Sequence, residues 1–78
     1  MKIKVYGPGC ARCKRTEEIV RRALAETGVQ AEVEKVSDIE ELARAGILMT
    51  PAVAVNDAIK ASGRIPKLDE VKAWVSAS

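Results

Sequence analysis

Histidine and phenylalanine are absent from the sequence, and its aromatic residues amount to one Tyr and one Trp. Without a set of aromatic side chains there is nothing on which successive bases could stack. A basic block is missing too: thirteen Lys and Arg against eleven Asp and Glu leave a formal net charge of +2, with the two signs interspersed along the chain. Nucleic acid is therefore not an expected partner. No apolar run approaches the ~18 residues needed to cross a bilayer, which argues against a membrane span. Residues 1 to 6 alternate in polarity, and Gly7-Pro8-Gly9 interrupts them before a signal-peptide core of adequate length can form. The expected location is the cytoplasm.

What is present is a globular composition, 47% apolar and 31% charged, in 78 residues. That allows one domain over residues 1–78 with a modest core, built mostly from Val, Ile, Leu and Ala. No internal repeat, linker or low-complexity segment divides it.

The apolar periodicity gives an order of elements. Ile3 and Val5 alternate with Lys2, Lys4 and Tyr6, which predicts a strand ended by the Gly-Pro-Gly turn. From Cys10 to Thr27, Cys13, Thr16, Ile19 or Val20, Ala23 and Leu24 recur at helical spacing opposite a basic and acidic face, with Gly28 placed as a C-cap. Val29, Ala31 and Val33 alternate in a second strand reaching about Val36. Ser37-Asp38-Ile39-Glu40 fits a capping box with Ser37 as the cap, and Ile39, Leu42 and Ala43 form a short apolar stripe ending at Gly46. Asn56-Asp57 tolerates positive φ and predicts a tight hairpin between Ala52–Val55 and Ala58–Ser62. Pro66 suits the first turn of a last helix carrying Leu68, Val71, Trp74 and Val75. The order βαβαββα implies one mixed sheet, with a parallel pair around the first helix, an antiparallel hairpin, and helices covering it.

Two cysteines carry the reactive chemistry. A cross-link between such near neighbours as Cys10 and Cys13 restricts the unfolded chain by only roughly 2 kcal/mol, so a structural staple is a poor reading. Cytosolic pairs at this spacing are more often catalytic, redox-sensing or metal-binding. Cys10 falls at the helix N-terminus, where unsatisfied N–H groups and the helix dipole favour a thiolate and should lower its pKa below the free value of about 8.5. Arg12 adds positive charge nearby and tunes the pKa in the same direction. Cys10 is thus the candidate nucleophile and Cys13, one turn inside, the candidate resolving thiol. A closed zinc site needs about four ligands, and two thiols without any His do not supply them. Copper(I) or arsenite held between two soft sulfurs remains an alternative function.

With this order of elements and Cys10-Ala11-Arg12-Cys13 in place, the chain resembles the small thioredoxin-like redox-active disulfide proteins of the thioredoxin and glutaredoxin superfamily. The resemblance spans nearly the whole chain and is carried by 7–14, by 46–52 with its Thr50-Pro51, and by Ser62-Gly63-Arg64-Ile65-Pro66. A lone Cys-x-x-Cys is weak; joined to a Thr-Pro immediately before a strand it is specific. The resemblance implies a minimal thioredoxin-like α/β fold, a four-stranded mixed sheet flanked by three helices. It implies that Pro51 is cis and faces the dithiol, and that Thr50 offers its backbone to a bound substrate. Protein disulfide substrates, a thioredoxin-reductase-like electron donor, no cofactor and a monomeric state follow from the same likeness.

Three departures matter. Ala-Arg between the cysteines is neither the Gly-Pro of typical thioredoxins nor the Pro-Tyr of typical glutaredoxins. Lys4 stands where thioredoxins commonly carry a buried acid, so the proton relay must differ or be supplied by water. The Gly-Gly and Asp pattern with which glutaredoxins hold glutathione is incomplete at Ser62-Gly63-Arg64 and Asp69, which favours protein dithiol exchange over a glutathione-linked alternative. Trp74 reads as a core or rim residue. Tyr6 and Pro8 either border the dithiol or shape the loop, and Met49 either lines an apolar patch beside it or lies beneath the loop.

Overall fold

The computed structural model of the protein describes residues 1–9, 11–47 and 49–76. Their elements are β1 (Lys2–Tyr6), α1 (Ala11–Thr27), β2 (Glu32–Val36), α2 (Ile39–Arg44), β3 (Ala52–Val55), β4 (Ala58–Ser62) and α3 (Leu68–Ser76). The strands form one sheet in the order β2-β1-β3-β4. β1 runs parallel to β2 and antiparallel to β3, and β3 is antiparallel to β4. This is the mixed α/β sheet that the element order implies, a minimal thioredoxin-like fold.

Alternation along the strands divides the apolar residues between two layers. Ile3, Val5, Val53 and Val55 face Val20 and Ala23 of α1 and Val71 and Val75 of α3, forming the main core. Trp74 is half-buried against this core, at its rim. Tyr6, Val36, Ala52 and Ala54 point to the other face, where Ile47 and, from α2 and the residue after it, Leu42 and Ala45 cover them. The sheet therefore holds α1 and α3 on one side and only a short helix on the other.

The hairpin turn forms as its residues dictate. Asn56 and Asp57 take φ of 50° and 69°, and Asn56 also ties the turn to β1, its Oδ1 accepting from the Lys2 N–H at 3.0 Å. Three boundaries differ from the sequence pattern. β2 starts at Glu32, because β1 begins only at Lys2 and offers the residues before Glu32 no ladder partner. The N-cap of α2 is Asp38, not Ser37: its carboxylate accepts from the Glu40 N–H at 2.9 Å. Ile39 thereby becomes the first helical residue. Helical side chains lean over the preceding turn, and Ile39 has none beneath it, so it is 80% exposed instead of joining the apolar stripe.

The third difference concerns Pro66, which is fully buried but precedes α3 instead of lying in its first turn. Glu70 sets that start, since its Oε1 accepts from the Lys67 N–H at 3.0 Å, the backward half of a capping box. Arg64 grips the same carboxylate with two hydrogen bonds of 2.8 Å. The Arg64 bonds, and after them the Lys67 N–H, hold the Glu70 carboxyl down from 4.5 to about 2. A carboxyl whose folded pKa is depressed contributes stability that is complete above its unfolded value and is lost as pH falls through the folded one. Glu70→Gln should therefore lower the melting temperature at pH 7, with the gap to wild type narrowing below about pH 4.5 and closing near pH 2. Thermal melts of both proteins across that range check this; a gap that stays constant to pH 2 would discard the capping role.

Candidate functional site

The end of β1 delivers the chain to the site. Its hydrogen-bonded ladder runs one residue beyond the strand, with the Gly7 N–H donating to the Val36 carbonyl at 2.9 Å, and α1 begins at Ala11 after the Gly7-Pro8-Gly9 turn. Cys13 lies just inside α1, on the same side as Thr16 and Val20, and is 3% exposed. The fully buried Thr16 hydroxyl donates to the Arg12 carbonyl at 2.9 Å, which keeps a buried polar group satisfied.

Gly7 is where the strand end and the helix meet most closely. A Cβ built on it would fall on the Cys13 sulfur and lie 3.8 Å from the Thr50 Cβ. The absence of a side chain at residue 7 thus lets the Cys13 thiol occupy the space between β1 and the segment before β3. Gly7, Cys13 and Thr50 converge there. The Thr50–Pro51 peptide bond is cis, as the family resemblance implies.

The Thr50-Pro51 segment is anchored from β4. Ser62 Oγ donates to the Met49 carbonyl at 3.1 Å, and the Gly63 N–H donates to the Pro51 carbonyl at 2.9 Å. Met49 packs over Gly63, where a Cβ would come within 3.0 Å of the Met49 Cβ, and Gly63 has φ of 76°. Both facts require glycine at that position. Met49 is 64% exposed, which rules out its burial beneath the loop.

Of the predicted site residues, Cys13 and Thr50 come together at Gly7, and Pro51, next to Thr50 in the chain, is buried. Arg12 is exposed on the first turn of α1. Cys10 and Leu48 lie outside the described residues. Lys4 takes no part in this cluster: its side chain points to the sheet face bearing α2 and reaches Asp57 at 4.0 Å. A cavity of about 390 Å³ opens on that face between α2 and the hairpin, and none of Gly7, Cys13 or Thr50 lines it. Tyr6 is buried in the second core layer, while Pro8 is exposed. Sequence reasoning missed Gly7 as the spacer for the thiol and Ser62 and Gly63 as the anchors of the Thr50-Pro51 segment. Only the incomplete glutathione-like pattern at 62–64 hinted at the latter.

Among the described residues, no three His, Cys, Asp or Glu side chains are grouped to hold a metal ion, and no helix is long and apolar enough to cross a membrane. The Cys13 thiol is thus buried between the end of β1 and the anchored Thr50-Pro51 segment.

Residues 1–76 match the family model described as a thioredoxin domain. A thioredoxin of Methanothermobacter thermautotrophicus is 38% identical over 76 residues, covering 97% of this chain and 99% of the relative. A thioredoxin of Methanocaldococcus jannaschii is 41% identical over 70 residues, covering 90% of this chain and 80% of the relative.

Proposed function

This chain belongs to the thioredoxin domain family, and on that premise we propose that it is a thiol–disulfide oxidoreductase acting on protein disulfides through Cys10 and Cys13. The observation that carries the reading is the placement of the Cys13 sulfur against Gly7 and beside Thr50. A resolving thiol must be kept from solvent until a mixed disulfide forms next to it, and 3% exposure meets that requirement.

In the proposed cycle the Cys10 thiolate attacks one sulfur of a substrate disulfide. A Cys10–substrate bond forms, the substrate S–S bond breaks, and the released substrate thiolate takes up a proton. Cys13, losing its proton to water or to the leaving thiolate, then attacks the Cys10 sulfur. The Cys10–Cys13 bond closes and the second substrate thiol departs, so two electrons pass from the protein to its substrate. Its place in the sequence immediately before α1 and the charge of Arg12 favour the Cys10 thiolate. Thr50 and Pro51, anchored by Ser62 and Gly63, are the proposed binding edge for the substrate chain. An external dithiol donor of the thioredoxin-reductase type returns the electrons, no cofactor is bound, and the chain acts as a monomer in the cytoplasm.

Reduction of a protein disulfide, with thioredoxin reductase and glutathione compared as electron sources, tests this. Turnover with the reductase, lost in Cys10→Ser, is the expected result. Turnover supported by glutathione alone would favour a glutaredoxin-type activity instead.

A further inference from the structure

A groove of about 570 Å³ runs along α1 beside the loop from β4 to α3. Its apolar floor is formed by Ile19 of α1 with Ile65, Pro66 and Leu68 from the opposite wall. Its charged rim holds three cations, Arg15, Arg22 and Lys67, against a single carboxylate, Glu18. Arg15, Ile19 and Arg22 follow one another at helical spacing, and Arg12 precedes them on the same stripe, so the groove begins one turn after Arg12, the residue before Cys13. The opposite wall begins two residues after Gly63, whose N–H holds the Pro51 carbonyl. The loop that anchors Pro51 thus leads within two residues into the wall of the groove.

Lys67 stands outside any ion pair among the described residues, whereas Arg22 is held by Glu26 at 2.7 Å along α1. Arg15 pairs with Glu18 at 3.6 Å, but both side chains are about two-thirds exposed, and pairs of that kind are weak and screened. Among the described residues no ion pair includes Lys67, Arg12 or Lys14. An apolar floor with a cationic rim complements an extended segment that carries carboxylates among apolar side chains.

We propose that this groove selects protein substrates whose disulfide is flanked by an acidic, partly apolar segment, the carboxylates facing Lys67 and Arg15. This rests on the oxidoreductase reading and adds to it a substrate class. Complementary charge of this kind acts mainly on the rate of productive encounter and falls off with salt.

The test uses two disulfide-linked peptides of the same apolar core, one flanked by Asp and Glu and the other by Lys, with neutral hydroxyethyl disulfide as a third substrate and dithiothreitol as reductant. At low ionic strength the wild type should reduce the acidic peptide with a kcat/KM about tenfold above that of the basic one. In the Arg15→Glu, Lys67→Glu double variant that ratio should fall to one or below, with the neutral disulfide reduced as fast as by wild type. A wild-type ratio near one, or a ratio unchanged in the variant, overturns the groove proposal while leaving the oxidoreductase reading in place. Failure of the wild type to reduce any of the three overturns both.

Discussion

Gly7→Ala is expected to destabilise the protein by about 1–3 kcal/mol and to slow disulfide exchange by about a hundredfold. The added methyl would fall on the Cys13 sulfur, in a region where the thiol is 3% exposed and has no room to retreat outward. Overpacking of this kind is relieved only by an off-rotamer side chain or a backbone shift. Either one moves the sulfur relative to its partner thiol, and a displacement of about 1 Å at a reacting atom is enough for the rate loss. In a domain of this size the stability loss corresponds to a melting temperature lower by roughly 5–20 °C.

Two controls separate this cause from general damage. Gly9 has φ of 88° and nothing within 4 Å of where its Cβ would stand. Gly9→Ala therefore carries backbone strain without a collision, and should cost stability without displacing Cys13. Cys13→Ala removes the atom that Gly7→Ala would strike. Gly7→Ala should thus be markedly less destabilising in that background, and the difference is the coupling energy of the pair. Equal costs with and without the Cys13 sulfur would show that the two do not share the space described.

How much of this was legible in the sequence follows from the range of each interaction. β1, α1 and the Asn56-Asp57 hairpin are written in local periodicity and turn chemistry, and they stand where the pattern puts them. The start of α2 was ambiguous because Ser37 and Asp38 are both able caps one residue apart; the carboxylate takes the Glu40 N–H, and Ile39 is left outside. The place of Pro66 depends on a contact between Glu70 and Lys67 that the apolar stripe does not encode. The candidate site shows the same division. Cys10-Ala11-Arg12-Cys13 and Thr50-Pro51 are visible as motifs, but the role of Gly7 exists only once β1, α1 and the segment before β3 are docked. Likewise, Lys4 is seen to face Asp57, away from Cys13, only when the sheet faces are assigned. In the proposed cycle the proton of Cys13 therefore leaves by a route that does not use residue 4.

The second large effect is an asymmetry between the two cysteines. With Cys13 replaced by Ser, Cys10 can still attack a substrate disulfide, but no thiol remains to open the mixed disulfide, and the adduct should accumulate. With Cys10 replaced by Ser, the remaining thiol is the buried one, which incoming protein disulfides do not reach. A carrier that holds copper(I) or arsenite between two sulfurs has no such asymmetry, because either substitution removes one of two equivalent ligands.

Mass spectrometry of non-reduced complexes formed by the two variants in cell extract reads this most directly. The expected result is that Cys13→Ser carries covalently attached proteins, released by reductant and linked through Cys10, while Cys10→Ser carries far fewer. Negligible and equal trapping by both variants, together with tight stoichiometric binding of copper(I) by the wild type, would contradict the oxidoreductase reading.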